Sequence, residues 1–226
     1  MRTATLAGAT ISAVLVIAGT ADAFVFWTNP NGSGTFFNYA NGGSANGTFG
    51  DPFLVGGNTF FFFPNHYRAE AKDGGSQVTS DTLEVDLIAH PGFKFSMIQI
   101  SEVGSYSILG GGSVEAKGAL KISDNNAFFS TQNAGMTTNP AMPINGAGSG
   151  SWNGLASIDL EATGQKWTNI HLVFQNDLIA ITFNSGETAY IDKLAIGSGV
   201  ALTIIPAPGA LALLGVAGVL AARRRR

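Results

Sequence analysis

Acid–base chemistry at neutral pH would depend on three histidines in this chain, which contains no cysteine that could act as a nucleophile. His66 lies in a loop-like Pro-Asn-His-Tyr-Arg segment, His90 precedes a proline, and His171 falls within a segment that alternates like a strand. Each setting is typical of a structural histidine. The sequence also lacks a Gly-x-Ser-x-Gly elbow, a phosphate-binding loop, a His-Glu-x-x-His helix and an EF-hand loop. We therefore expect no catalytic residue, no metal and no cofactor, in a protein that is not an enzyme.

Paired carboxylates are the other arrangement that could do chemistry. Glu84 and Asp86 are two residues apart, and so are Asp159 and Glu161. Side chains at that spacing on one strand face lie about 6.5 to 7 Å apart, within the separation that glycosidases use. Alternation alone also places acids on a solvent-facing strand surface, and we interpret both pairs in that way. A secreted hydrolase with an unrecognised site is kept as an alternative.

Tryptophan rings could stack on sugars if they were exposed. Trp152 adjoins a glycine-rich stretch and is the candidate for glycan stacking; anchoring of that stretch in the core is the alternative. Trp27 and Trp167 are interpreted as packing residues. A glycan-binding module is therefore the first alternative to a purely structural role.

The first 23 residues predict a secretory signal peptide with its helix. Arg2 precedes an apolar stretch over residues 6–18, and Ala21 and Ala23 form the small-x-small pattern that signal peptidase cleaves. The mature chain would then begin at Phe24. An uncleaved N-terminal anchor is the alternative.

The last 21 residues combine three features of an export tail. Pro206, Pro208 and Gly209 precede an apolar run over residues 210–222, which is shorter than the ~20 residues of a comfortable bilayer span. Basic residues stay on the cytoplasmic side of a membrane, and the chain ends in four of them: Arg223, Arg224, Arg225 and Arg226. The tail predicts a short transmembrane helix that holds an exported chain in the inner membrane.

This order of prolines, apolar segment and arginines resembles the PEP-CTERM sorting signal of bacterial surface and exopolysaccharide-associated proteins. The same tail also goes by the name ice-binding protein C-terminal domain, which describes the tail alone. The resemblance implies recognition by an exosortase-like enzyme, and then a place at the cell surface or outside it, with exopolysaccharide as a partner. Ala207 stands where the family usually has glutamate. An ordinary C-terminal anchor is the alternative.

Residues 24–203 remain as one domain, between the signal peptide (1–23) and the sorting signal (204–226). The whole chain has twelve Lys and Arg residues, and without Arg2 and the four terminal arginines the domain keeps seven. The chain has fifteen acids, and without Asp22 the domain keeps fourteen. This domain therefore carries a net charge near −7. It contains no basic cluster, which argues against a nucleic-acid partner. Without cysteine it has no disulfides, and its sixteen phenylalanines must supply much of the core.

A period of two dominates this domain and predicts strands. Residues 82–88 show it most clearly, with Leu83, Val85 and Leu87 facing one way. Similar segments predict nine or ten strands in all: 60–63, 93–97, 98–103, 106–109, 114–122, 155–162, 170–174, 178–183 and 189–196. Glycine- and asparagine-rich turns separate them and no helical period competes. We expect an all-β protein, an antiparallel β-sandwich of jelly-roll type, with a closed barrel as the alternative.

Two segments receive more specific predictions. The four phenylalanines of residues 60–63 predict a strand buried on both faces. Residues 131–151, rich in Asn, Gly, Pro and Ser, predict one large loop on the rim.

Residues 190–196 resemble the closing strand of jelly-roll carbohydrate-binding modules. In those modules an aspartate of the last strand often helps to hold a structural calcium, and Asp192 occupies that position. The sequence names no second ligand, and an exposed acid on an edge strand is the other interpretation. Taken together, the sequence predicts an exported envelope or extracellular-matrix protein with a structural or adhesive role.

Overall fold

The computed structural model describes residues 24–64, 66–127, 130–194 and 199–208. The predicted signal peptide, including Ala21 and Ala23, lies outside the described residues. So does the tail from Gly209 through the four terminal arginines, and with it the predicted transmembrane helix. Within the described part of the chain, no helix has the length and hydropathy that crossing a membrane requires.

The described residues form sixteen strands and one short helix. In chain order these are β1 (Val25–Phe26), β2 (Gly32–Ser33), β3 (Phe37–Ser44), β4 (Phe53–Val55), β5 (Thr59–Phe62), β6 (Arg68–Lys72), β7 (Ser76–Ala89), β8 (Phe93–Leu109), β9 (Ser113–Asp124), β10 (Thr131–Gly135), β11 (Thr137–Asn139), β12 (Ile144–Asn145), β13 (Gly148–Asp159), the 3-10 helix η1 (Glu161–Thr163), β14 (Asn169–Ile181), β15 (Thr188–Lys193) and β16 (Val200–Pro208).

The strands form two antiparallel sheets that pack face to face, so the predicted β-sandwich is confirmed. Sheet A has the order β1-β3-β7-β14-β9-β10, with β2 beside β3 and β12 beside β9. Sheet B has the order β11-β13-β8-β16-β5-β4, and β15 lies between β8 and β6. The last strand therefore lies inside sheet B, between β8 and β5.

The long strand β8 organises sheet B. One edge of β8 pairs with β13 along its length, while the other edge pairs first with β16 and then, from Gly104 onward, with β15. The sequence predicted three separate strands here. Gly104 does not break the strand; a Cβ at this position would overlap the Trp152 ring and the carbonyl oxygen of Asp192, so the close approach of Trp152 requires glycine.

The alternation predicted for residues 82–88 is confirmed, because Leu83, Val85 and Leu87 are all buried in β7. The prediction of a doubly buried strand at residues 60–63 is wrong. Phe60 and Phe62 are buried, but Phe61 and Phe63 are only partly covered. One face of β5 packs on the core and the other forms part of the outer surface of sheet B.

The prediction of one large loop over residues 131–151 is also wrong. This stretch forms β10, β11, β12 and the first residues of β13. The backbone of β10 pairs with β9, and that of β11 pairs with β13. These strands carry small polar side chains on partly exposed faces, so hydrogen bonding to a neighbouring strand stabilises them without an apolar alternation that sequence could show.

A polar cluster lies inside the apolar core, and we call Glu102, Asn176 and Lys193 the buried triad. Lys193 Nζ donates to Glu102 Oε1 at 2.5 Å, and Asn176 Nδ2 donates to Glu102 Oε2 at 2.9 Å. Tyr67 donates its hydroxyl to the main-chain oxygen of Asn176 at 2.6 Å. Burial raises the pKa of Tyr67, and the nearby Glu102 and Asp81 charges add to that effect.

A carboxylate clasp joins two turns at one end of the sandwich. Glu187 accepts hydrogen bonds from the side-chain amide of Asn184 at 2.9 Å and from the main-chain N–H groups of Phe183, Asn184 and Gly111 at 2.8 to 2.9 Å. These bonds, led by that of the Asn184 side chain, lower the pKa of Glu187 from 4.5 to about 2.

This clasp predicts a pH-dependent contribution to stability. A lowered carboxylate pKa stabilises the fold above the unfolded value of 4.5, and that contribution is lost as pH falls towards the folded value of about 2. We expect wild type to melt at a higher temperature than Glu187→Gln at neutral pH, and the difference to shrink between pH 4.5 and pH 2. Thermal melts of both proteins across this range test it; a difference that stays constant down to pH 2 would contradict it.

Candidate functional site

The most promising binding site is a cleft at the end of the sandwich where β16 finishes, and we call it the end cleft. Its volume is about 530 Å³, which is within the range of small-ligand pockets. One wall is the turn between β7 and β8, and the other is the segment that follows η1. The side chains that give the cleft its chemistry are His90, Phe93, Lys94, Gln165, Lys166 and Thr168.

Local sequence explains the first wall. The Pro91-Gly92 pair reverses the chain, and Gly92 adopts a φ of 88°, which an L side chain disfavours. The turn is closed by a hydrogen bond from the Phe93 N–H to the His90 carbonyl at 3.0 Å. His90 also donates its main-chain N–H to Phe36 at 2.8 Å, so the turn is tied to the neighbouring segment. The Phe93 ring packs against the Phe36 ring with centroids 5.1 Å apart.

The second wall is held by Trp167, which is fully buried beneath it. Trp167 Nε1 donates to the Thr163 hydroxyl at 2.8 Å, and the Trp167 carbonyl accepts from the Phe95 N–H at 2.8 Å. Gly164 follows η1 directly, adopts a φ of 70° and lines the cleft. Trp167 is thus a packing residue, as predicted, and it fixes the position of Gln165 and Lys166.

Several polar groups of the end cleft already have protein partners. His90 Nε2 lies 3.1 Å from Asn38 Oδ1, and Lys94 Nζ is 3.1 Å from Glu161 Oε1. Gln165 accepts a hydrogen bond from the Ser130 hydroxyl. The cleft therefore combines amide, imidazole and ammonium donors with one half-buried aromatic ring. This chemistry suits a neutral or anionic ligand rich in hydrogen-bond acceptors.

Sequence reasoning missed most of the end cleft. His90 was considered and interpreted as structural, while Lys94, Gln165 and Lys166 were not singled out. Each lies within two residues of a turn glycine or proline, which is a weak signal for a loop site. Their proximity depends on the pairing of distant strands, which no local pattern reveals.

The structure brings Glu84, Asp86 and His171 together on the outer face of sheet A. His171 Nδ1 lies 2.8 Å from Asp86 Oδ1, and His171 Nε2 lies 3.7 Å from Glu84 Oε2. Asp86 also accepts from Asn41 Nδ2 at 2.8 Å. The predicted surface pair of acids is thus a three-residue cluster that includes one of the histidines. It lies on an open sheet surface, away from the end cleft.

The other predicted pair, Asp159 and Glu161, does not share a strand face. Asp159 ends β13, and its carboxylate accepts the main-chain N–H groups of Glu161 and Ala162 at 2.9 and 3.1 Å. Glu161 begins η1 and pairs with Lys94. Asp159 acts as a local cap because the chain turns away from the sheet there.

The structure contradicts the prediction that Trp152 stacks on glycans. Trp152 is 1% exposed, and its Nε1 donates to the Asp192 carbonyl at 3.2 Å. Residue 152 falls at an inward-facing position of β13, so its ring fills the space above Gly104 in the core. Trp27 is also buried, as predicted.

Asp192 is not an exposed acid on an edge strand. It lies on β15, between β8 and β6, and accepts from the Ser105 hydroxyl and main-chain N–H at 2.6 and 3.2 Å. Arg68 approaches the other carboxylate oxygen at 3.7 Å. Within the described residues, Asp192 belongs to no cluster of three potential metal ligands. Its strand is also not the last one, because β16 follows it.

The prolines of the predicted sorting motif belong to the last strand. Pro206 pairs with Phe95 and Pro208 with Phe93, and the register shifts between Ile205 and Pro206. The predicted domain end at residue 203 therefore falls inside β16, which runs on to Pro208.

Comparisons with known proteins add little. No protein-family model matches the chain, and no curated protein matches it either. One solved structure with some similarity is the carbohydrate-binding module TmCBM61 in complex with beta-1,4-galactotriose; the match covers 80% of this chain and 99% of that chain, at 12% identity and a TM-score of 0.22. A superposition this loose carries no argument about fold or ligand.

Proposed function

We propose that this chain is an exported envelope or extracellular protein with a structural or adhesive role, sorted by its C-terminal tail. The observation that supports this proposal is the position of the last strand. The strand β16 ends at Pro208, and the apolar run and the four arginines follow it at once. The described strands are therefore complete before the apolar run begins, and a processing enzyme could remove the residues after Pro208 without taking a strand away.

The prolines suit the end of this strand. Proline has no N–H to donate to a neighbouring strand, so it is tolerated at strand ends and at bulges. The strand β5 pairs with β16 only as far as Thr203, which leaves Pro206 and Pro208 with β8 on one side. A segment of this kind can mark the boundary between a folded domain and a recognition motif.

Intact mass of the native protein from separate membrane and culture-supernatant fractions tests the proposal. We expect a released species that begins at Phe24 and lacks everything after about Pro208. A full-length tail found only in membranes would indicate a permanent anchor and would contradict sorting. Retention of Met1 in the released material would contradict the predicted signal cleavage.

The arginine cluster provides a second test. Replacing all four terminal arginines by glutamine is expected to reduce membrane retention of the precursor, because each basic residue near an anionic surface contributes about 1 kcal/mol. Fractionation of the precursor measures the effect. Lys117→Gln, which removes an exposed charge from sheet A, is the control and should fractionate like wild type. Unchanged fractionation of the four-arginine variant would refute the role of the cluster.

A second candidate function is glycan binding, and the end cleft is the observation that favours it. The cleft combines a phenylalanine ring with amide and ammonium donors, as sugar sites often do. Acidic exopolysaccharide would fit the two lysines at its walls, Lys94 and Lys166.

Binding of purified exopolysaccharide to the released protein tests this second function. The double variant Gln165→Ala, Lys166→Ala is expected to bind about tenfold or more weakly, because it removes two donors from the cleft. Lys121→Ala on the outer face of sheet A is the matched control. Equal binding by wild type, variant and control would exclude the end cleft as the glycan site.

A further inference from the structure

The buried triad connects the two sheets of the sandwich. Glu102 lies on β8 and Lys193 on β15, both in sheet B, whereas Asn176 lies on β14 in sheet A. Glu102 and Asn176 have no exposed surface, and Lys193 is 4% exposed. One carboxylate bridges an amine and an amide, with Oε1 on Lys193 Nζ and Oε2 on Asn176 Nδ2.

The surroundings favour an uncharged lysine. Burial lowers the pKa of Lys193, although the Glu102 charge opposes that effect. Transfer of one proton within the Lys193–Glu102 hydrogen bond leaves a neutral amine beside a neutral carboxylic acid. A dry interior favours this neutral pair over two separated charges. A neutral, desolvated lysine amine is a nucleophile.

Aromatic rings keep water from this amine. Lys193 Nζ lies 4.1 Å from the centre of the Tyr67 ring and 4.7 Å from that of Phe49. Asp81 is a further charged group close to the triad, and it is buried and engaged by the hydroxyls of Ser44 and Thr48 at 2.9 and 2.6 Å. Asp81 therefore has its own hydrogen-bond donors and does not displace Glu102 from Lys193.

The amide of Asn176 carries an unused acceptor. Asn176 Oδ1 is buried and has no hydrogen-bond partner among the described residues. A half-turn of this amide group would bring Oδ1 to Glu102, and a protonated Glu102 would donate to it. That hydrogen bond satisfies the buried acceptor and draws electron density from Cγ of Asn176. The amide carbon then becomes an electrophile, and the lysine amine is held by the same carboxylate.

We propose that Lys193 and Asn176 form an intramolecular amide bond that covalently joins the two sheets. Nζ of Lys193 attacks Cγ of Asn176, so the Nζ–Cγ bond forms and the Cγ–Nδ2 bond breaks. The protonated Glu102 delivers its proton to Nδ2, which leaves as ammonia, and takes up the proton that Nζ loses. The reaction needs no oxidant, metal or energy source, and Glu102 ends in the protonation state in which it began. The bond serves an exported domain that has no disulfides.

The test is a digest of the denatured full-length protein with a protease that cleaves after acidic residues. Asp177, Glu187 and Asp192 lie between the two partners, so complete cleavage separates residues 162–177 from the peptide that begins at Lys193. We expect these two peptides to remain joined, with a mass lower than their sum by one ammonia. Recovery of both as free, unmodified peptides from wild type would overturn the proposal and leave a buried ion pair.

Assignment to these peptides is essential, because Asn-Gly pairs such as Asn153-Gly154 can also lose ammonia on their own. Glu102→Gln keeps the shape of the side chain but removes the proton carrier, so we expect linking to slow by about a hundredfold or more. Asn176→Ala should abolish it. Glu161→Gln removes an exposed acid and should leave linking unchanged; the linked peptide then begins at Leu160, because the cut after residue 161 is lost. A Glu102→Gln protein that links at the wild-type rate would refute the proton-transfer role. If Glu102→Gln fails to fold, the wild-type digest still decides whether the bond exists.

Discussion

Replacing Glu102 by alanine is expected to lower the free energy of unfolding by about 3 to 5 kcal/mol. The substitution leaves the Lys193 amine and the Asn176 amide without their shared acceptor in a dry core. Urea titration of wild type and variant measures the loss. The control is Glu161→Ala, which breaks an exposed ion pair and should cost at most about 1 kcal/mol. Similar losses in the two variants would contradict the prediction.

A double substitution separates electrostatics from covalent bonding. Glu102→Leu combined with Lys193→Met removes both charges together and fills the space with apolar atoms. If the triad is only an ion pair, this variant should recover most of the stability that Glu102→Ala loses, because paired buried charges contribute little net stability. If the amide bond forms, the double variant should remain clearly less stable than wild type, since it also loses the cross-link.

Trp152→Ala is the second substitution with a large expected effect, about 3 to 5 kcal/mol of lost stability. The ring is 1% exposed and its Nε1 donates to the Asp192 carbonyl, so truncation creates a cavity above Gly104 and leaves that carbonyl without the bond. Urea titration again measures the change.

Leu155→Ala is the matched control for Trp152→Ala, because Leu155 lies on the same strand and is 40% exposed. Leu155→Ala should lower the free energy of unfolding far less than Trp152→Ala does. If Trp152→Ala weakened glycan binding while stability stayed at the wild-type level, the ring would be a ligand contact after all.

The sequence was sufficient for the fold class, because the alternation of apolar residues depends on local burial. Leu83, Val85 and Leu87 face the core as that pattern predicts. The same pattern could not define strands that lack an apolar face. Residues 131–151 pair through their backbones with β8, β9 and β13, and such pairing leaves no period in the side chains.

The sequence does contain a signal for two residues of the buried triad. Glu102 follows Ile98 and Ile100 at the inward positions of β8, and Lys193 follows Ala189 and Ile191 in the same way on β15. A charged residue at an inward position of an alternating strand has two explanations. Either it is paired with another group in the core, or it marks the end of the buried part of the strand. The sequence alone cannot say which, because the pairing partner comes from another strand.

Trp152 shows the opposite difficulty. Its glycine-rich neighbours suggested a loop, with the ring either exposed or anchored in the core, but those glycines belong to a strand. The end cleft could not be predicted either, since its two walls are more than 60 residues apart in the chain, between His90 and Gln165. Such a site forms only when the order of the strands in the fold brings distant segments together.

The shifted register near Pro206 affects how the domain would respond to mechanical tension. A pull on the chain beyond Pro208 reaches first the pairs with Phe93, Lys94 and Phe95, where the two prolines donate no hydrogen bonds. These three pairs should separate at low force. The released chain is about 10 Å long, at ~3.3 Å per residue. The load then reaches Ile204, whose N–H donates to the Asn58 carbonyl at 2.9 Å and whose side chain is buried. The end of β16 would thus extend at low force, whereas the rest of the domain would resist the pull.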